Sequence, residues 1–343
     1  MLAMIEVSVV IPTRNRPDNL VRLLDDLILQ TYPLLEVIVV DSSDRPYRLD
    51  NLNTQFPQLT LLHVDSEPSV CIQRNIGIRK ARAPYVFLCD DDITLPENYV
   101  ELLMKYIKTN GAGVASGLVM QKEPSGDWTY AYPPGSFGKL LFAFLFQHSV
   151  WGSPDKMNVK LWQRPIYAVM KSYYKQKGNG LSWAGWPLIT DFNSPAFVSE
   201  VYGLGASIIK RDWLLQSPYD EVLDRHGIGD NYGVAMGFPI RKAIHVVHAA
   251  PAYHHQSTDN RLESVRTYYR RVLALHYFLL KYERFSFLNR CWFVWSLIGN
   301  YILFGKRKDF KKATIKALKQ VLIKRNPYLE ADNRREKVVE VEC

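Results

Sequence analysis

The residues best suited to chemistry are Asp90-Asp91-Asp92, three consecutive carboxylates that follow the apolar run Tyr85 to Cys89. Like charges at the tip of a buried strand repel one another, and a divalent cation bound there relieves the repulsion. Mg2+ or Mn2+, held by one or two carboxylates and completed by substrate phosphates, suits the spacing. An acidic cap on the next helix would need one carboxylate, not three. Asp41 ends a second apolar run, Val37 to Val40, where a carboxylate either forms a turn or accepts from a nucleobase imide or ribose hydroxyl. The usual phosphate devices are missing. The turn after the first apolar run is Pro12-Thr13-Arg14-Asn15-Arg16-Pro17, without G-x-G-x-x-G, and the chain has no G-x-x-x-x-G-K-[ST]. A Rossmann dehydrogenase and a P-loop enzyme are therefore disfavoured, and a bound diphosphate has to be neutralised otherwise.

Carboxylates at strand tips imply a sheet to hold them. Val7 to Ile11, Val37 to Val40, Leu59 to Val64, Tyr85 to Cys89 and Gly113 to Met120 read as strands. Helical spacing runs over Asn19 to Gln30, Val70 to Ala81 and Glu97 to Lys108. This alternation predicts an α/β fold with a doubly wound, mainly parallel sheet in residues 1–120. From about Gln121 the pattern gives way to Trp128, Tyr130, Tyr132, Trp151, Trp162, Trp183 and Trp186 among glycines and prolines. Aromatic insertions of this kind cover a site at the carboxyl ends of the strands. Ala206 to Lys210 and Ala243 to Val247 read as returning strands, completing a second part over 121–260. Residues 261–343 read as a helical, basic appendage.

Composition agrees with an ordinary globular chain. Of 343 residues, 47% are hydrophobic and 22% charged, which excludes collagen-like, disordered and disulfide-scaffold classes. Cys71, Cys89, Cys291 and Cys343 are widely spaced, so neither a zinc knuckle nor a redox pair is indicated, and reduced thiols in a cytosolic setting are expected. The net charge of +9 is uneven: residues 265–325 carry fifteen Lys or Arg, Lys324 among them, against Glu283 and Asp309, so that window is +13 and the remainder −4. A basic end on a slightly acidic body points to an anionic surface. Met1 to Met4 lead directly into the first strand without a signal-peptide pattern. The longest apolar run, Cys291 to Phe304, is short of the roughly 20 residues of a spanning helix, but its Trp292, Trp295 and Tyr301 suit a lipid boundary. After it, Phe310, Ala313, Ala317 and Val321 form one helical stripe, with Lys311, Lys312, Lys316 and Lys319 largely off it, the pattern of a basic helix lying on lipid.

Taken together, several runs resemble one family. Ser8-Val9-Val10-Ile11-Pro12-Thr13-Arg14-Asn15-Arg16, Gln30-Thr31-Tyr32-Pro33, Glu36 to Ser43, Arg74-Asn75-Ile76-Gly77, and Phe87-Leu88-Cys89-Asp90-Asp91-Asp92 look like a family 2 inverting glycosyltransferase of GT-A fold. The resemblance implies that Thr13, Arg14 and Asp41 hold the nucleotide base, that Arg74 helps hold the nucleotide, that Asp90 takes the ribose and Asp92 the metal. Tyr202 to Asp212 is similar to the stretch before the acceptor site, and Gly229-Asp230-Asn231-Tyr232 sits where the family carries a Glu-Asp pair whose second member is the base. Here that second residue is Asn231, which accepts no proton. Asp230 is the first choice of base, with Asp224 and His226 as alternatives. Tyr253-His254-His255-Gln256-Ser257, followed by Arg266, Tyr268, Tyr269 and Arg270-Arg271, resembles the closing stretch, where a His reaches the metal or diphosphate. Neighbouring side chains on a strand point opposite ways, so one of the pair faces the site, and His254 is preferred over His255.

The expected activity is transfer of a sugar from a nucleoside diphosphate sugar, UDP first, to a hydroxyl of a glycan or lipid-linked acceptor, with Mn2+ or Mg2+, in cell-surface polysaccharide assembly. Rival readings are a nucleotidyltransferase, whose Gly-rich first loop is absent, and a non-enzymatic module for membrane or nucleic acid, which leaves Asp90 to Asp92 unexplained; no nucleic-acid partner is expected. The expected location is cytoplasmic, peripheral on the inner face of the plasma membrane.

Overall fold

The computed structural model describes residues 5–45, 49–123, 125–155, 157–255, 262–323, 325–334 and 336–342. Met1 to Met4, Gln256, Ser257, Lys324 and Cys343, singled out above, lie outside these residues. In chain order the first half runs β1 (Val7–Thr13), α1 (Pro17–Ile28), β2 (Glu36–Asp41), α2 (Leu49–Gln55), β3 (Leu61–Asp65), α3 (Val70–Lys80), β4 (Tyr85–Cys89), β5 (Ile93–Thr94), α4 (Tyr99–Asn110) and β6 (Val114–Lys122). The aromatic insertion follows as β7 (Trp128–Thr129), α5 (Phe137–Leu145), β8 (Val150–Trp151), α6 (Arg164–Lys177) and β9 (Leu188–Ile189). Then come β10 (Ala196–Ser199), β11 (Ala206–Lys210), α7 (Arg211–Gln216), α8 (Asp230–Met236) and β12 (Ile244–His254). Four helices close the chain: α9 (Ser264–Lys281), α10 (Phe287–Leu303), α11 (Lys308–Leu322) and α12 (Pro327–Arg334).

One sheet carries the site, in the order β10-β12-β6-β11-β4-β1-β2-β3. Parallel pairing joins β1 to β2 and β4, β2 to β3, and β12 to β6, whereas β11 runs antiparallel between β4 and β6. The sequence-derived α/β sheet is therefore present, with β11 as the reversed strand. β1, β2 and β4 are buried along their whole length, which explains their uninterrupted apolar runs. α1 starts two residues before its expected first residue because Pro17 is tolerated in the first turn, and it buries Leu20, Leu23, Leu24 and Leu27.

The largest difference from the sequence reading is β12. The expected strand Ala243 to Val247 continues to His254 through a bulge between Val247 and Pro251, and its far end pairs His254 with Ile93 of β5. A bulge resets the register, and here it delivers a histidine beside the acidic strand tip.

The C-terminal helices pack into the same hydrophobic cluster as the face of the sheet bearing α3. The stripe expected to meet lipid is turned inward instead. Ala313, Ala317 and Val321 of α11 are buried, Phe310 is half-buried, and α11 packs on α9. Periodicity shows that a stripe must be covered, not by what. α10 does leave an apolar face open: Leu288, Trp295, Ile298 and Ile302 are exposed at spacings of seven, three and four.

Candidate active site

A cavity of about 770 Å3 opens at the carboxyl ends of the sheet strands, walled by the β1 turn, Asp90 to Asp92, the loop before α8, the end of β12 and the start of α9. Tyr130, Tyr132 and Trp151 of the insertion line it, as the aromatic sequence predicts, while Trp162 and Trp183 are exposed elsewhere.

The three aspartates take different partners. Thr13 donates its hydroxyl to Asp91 Oδ2 at 2.7 Å and Arg16 reaches Oδ1 at 3.0 Å. Burial nevertheless dominates, raising the Asp91 pKa to about 6 against the pull of Arg16 and Thr13. Asp92 faces His254, whose Nε2 lies 3.2 Å from Oδ1, with Arg16 at 3.7 Å. Asp90 pairs with Arg74 at 2.6 Å. This last carboxylate fits only because residue 205 is glycine: a Cβ there would stand 2.0 Å from Asp90 Oδ2.

Arg74 is the structural link of the site. It extends from α3, whose first turn is capped by Ser69, and its guanidinium bridges Asp90 to Asp230 while lying over the Tyr219 ring. Asp230 opens α8, just after Gly229, whose φ of 100° favours glycine. Its other oxygen accepts from the Asn231 amide at 2.6 Å. Burial outweighs Arg74 and holds the Asp230 pKa at about 6. Beside it Asn231 lines the cavity with a buried Oδ1 that has no hydrogen-bond partner among the described residues.

The other residues singled out in the sequence fall less uniformly. His254 faces Asp92, whereas His255 turns to Thr94 and the edge of Trp128. Arg14 lines the cavity and pairs with Asp44 at 3.3 Å. Asp41 is only 1% exposed and does not line the cavity; it accepts from the Ser43 amide and lies 3.4 Å from His63 Nε2, while Ser42 reaches the wall. Asp41 thus holds the turn that brings Ser42 to the cavity wall. Asp224 is sealed from the cavity by Arg270 at 2.9 Å and the Tyr328 hydroxyl at 3.1 Å. His226 does line it, with a pKa lowered by burial. Two features escape sequence reasoning. Arg16 is the main cation of the acidic tip, and its place in the same loop motif as Arg14 was the only available signal. The Arg74 bridge joins residues 156 positions apart, which no local pattern reports.

Asp92 and His254 supply an oxygen and a nitrogen on one wall. That pair fits a divalent cation of the kind that keeps few protein ligands and completes its shell with phosphate oxygens and water. No cluster of three His, Cys, Asp or Glu suited to a metal occurs among the described residues.

The overall fold is shared with solved GT-A glycosyltransferases. GalNAc-T7, crystallised with UDP, GalNAc and Mn2+, superposes with a TM-score of 0.56 at 13% identity, over 94% of this chain and 57% of that one. TarS residues 1–349 of S. aureus, in complex with UDP-GlcNAc, gives 0.53 at 13% identity, over 97% and 93%. Residues 8–177, almost half of the chain, match the model of "Glycosyl transferase family 2". Among curated relatives, glycosyltransferase GlyG of Streptococcus pneumoniae is 29% identical over 132 residues, 38% of this chain and 44% of that protein. The chain spans less than half the length of the first curated relatives it matches.

Proposed function

We propose that the protein moves a sugar from a nucleoside diphosphate sugar to an acceptor hydroxyl with inversion at the anomeric carbon. The observation that carries this reading is the Arg74 guanidinium, which holds the Asp90 and Asp230 carboxylates beside each other on the wall of one cavity. Residues 1–120 hold the donor and residues 121–260 the acceptor. Asp90 takes the ribose and Arg14 the nucleotide; Thr13 acts through Asp91. UDP is the first candidate base, since GalNAc-T7 and TarS were crystallised with UDP and UDP-GlcNAc.

A divalent cation held by Asp92 and His254 would offset the charge on the leaving diphosphate. Asp230, ionised at neutral pH, accepts the acceptor's hydroxyl proton as that oxygen attacks. Arg74 keeps its carboxylate in place and stabilises it once charged. A sugar hydroxyl donating to Asn231 Oδ1 would satisfy the lone acceptor beside the base. One displacement suffices, so a covalent glycosyl intermediate is not required.

The exposed apolar face of α10 ends at Lys306-Arg307-Lys308, an apolar stripe beside a basic cluster. No helix among the described residues is long and apolar enough to cross a membrane. The arrangement favours a peripheral position on an anionic membrane, consistent with a cytoplasmic enzyme of cell-surface glycan or glycolipid assembly.

The test is thermal denaturation with UDP, dTDP and GDP, each with and without Mn2+. One of them with Mn2+ should raise the melting temperature by several degrees; no response to any would overturn the donor assignment.

A further inference from the structure

Six arginines line the cavity, and four of them are matched by carboxylates. Arg14 faces Asp44, Arg16 faces Asp91, Arg74 faces Asp90 and Arg225 lies 3.6 Å from Glu340. Arg266 and Arg271, both on α9, have no carboxylate within 4 Å among the described residues. Arg271 lies on this wall and is open to solvent. Glu263 reaches the same wall and forms no ion pair with either arginine, so among the described residues this end keeps more cations than anions. Two guanidinium groups on one wall without a carboxylate partner among the described residues give this end of the cavity a positive field, which an anionic ligand neutralises.

The position of α9 says which ligand. A Cβ at Gly229, next to Asp230, would lie 2.9 Å from Ala274 Cβ, so α9 abuts the base loop. Arg271 is three residues before Ala274, on the same helix face. The donor residues and the Asp92–His254 pair come from β1, β4 and β12 instead. Arg271 therefore stands on the side from which an acceptor reaches Asp230.

We propose that Arg266 and Arg271 form an anion subsite at the acceptor end of the cavity, and that the acceptor carries a phosphate close to the hydroxyl that is glycosylated. This rests on Asp230 being the base. Planar guanidinium groups suit phosphate oxygens, and the phosphate can belong to a phosphodiester polymer or to a lipid carrier.

The experiment uses the full chain and calorimetry. Inorganic phosphate, sn-glycerol 3-phosphate and a short-chain polyprenyl phosphate in detergent micelles are titrated into wild type, Arg271→Gln, Arg271→Lys and the Arg266→Gln/Arg271→Gln pair. Each titration is done without nucleotide and with whichever of UDP, dTDP and GDP binds alongside Mn2+. Arg271→Gln should weaken a phosphate probe by about tenfold, Arg271→Lys should retain most of the binding, and the double variant should abolish it. Nucleotide affinity should change by less than about threefold, under 1 kcal/mol by the tenfold-per-1.4 rule. Stronger binding of glycerol phosphate assigns the anion to a polymer, and of polyprenyl phosphate to a lipid; either supports the subsite. A tenfold loss of nucleotide affinity in Arg271→Gln would give the arginines to the donor diphosphate and overturn the proposal. Equal phosphate binding by wild type and the double variant, or none by wild type, would also overturn it. If no nucleotide binds wild type, the donor reading fails instead, and the nucleotide-free titrations still decide the subsite.

Discussion

A base whose pKa is raised to about 6 leaves a mark on the pH profile, and Asp230 is that group. A base works only when ionised, so turnover must fall as the pH drops through its pKa. With a value of about 6, roughly 97% of Asp230 is ionised at pH 7.5 and about 9% at pH 5.0, a loss of about tenfold in kcat. An unperturbed aspartate would still be about 94% ionised at pH 5.0 and the profile would be flat. Asp91 is also held at about 6 by burial, so the limb alone does not assign the residue. Asp230→Asn separates the two: it should lower kcat on the order of 10²- to 10⁴-fold and leave a residual activity without the acid limb. Asp91→Asn should keep the limb. The assay is steady-state release of nucleoside diphosphate between pH 4.5 and 8.5 under saturating donor. A flat wild-type profile down to pH 5, or an Asp230→Asn enzyme of near-normal turnover, would refute the reasoning.

Other outcomes follow from the same contacts. Asp92→Asn should remove most of the Mn2+-dependent stabilisation by nucleoside diphosphate without lowering the melting temperature of the free protein, since one of three clustered carboxylates is neutralised; full activity in excess EDTA would contradict this. Arg270→Ala strips the partner from the fully buried Asp224 and should cost about 3–5 kcal/mol in urea denaturation, because a buried charge is left unpaired; a loss under about 1 kcal/mol would show that the clasp between α9 and the loop before α8 is dispensable. Ile298→Glu with Ile302→Glu places charge on the exposed face of α10 and should abolish sedimentation with phosphatidylglycerol vesicles while sparing nucleotide binding. Unchanged sedimentation would reject that face.

Much of this arrangement was legible in the sequence because it depends on local patterns. β1, β2 and β4 are buried on both sides and so appear as unbroken apolar runs. The acidic triplet was legible because three adjacent carboxylates are costly without a function. The end of β12 was not, because a bulge and Pro251 interrupt the alternation that marks a strand. The orientation of α11 was not, because an apolar stripe has the same period whether it meets lipid or α9. Asp224 stood as an alternative to Asp230 in one dimension; only packing shows Arg270 and Tyr328 closing over it. Asp41 reads as either a turn former or a nucleotide ligand in the sequence, and packing adds that it accepts from the Ser43 amide at the end of β2.

The most direct test of the proposed chemistry is the configuration of the first sugar released. α-Linked nucleotide sugars are incubated with the full chain and Mn2+, with water or a glycan extract as acceptor, and the anomeric proton is followed by NMR before mutarotation. A β-configured product, formed by wild type and not by Asp230→Asn, is the predicted result. An α-configured first product, or no donor consumption across the UDP, dTDP and GDP sugars, would contradict it.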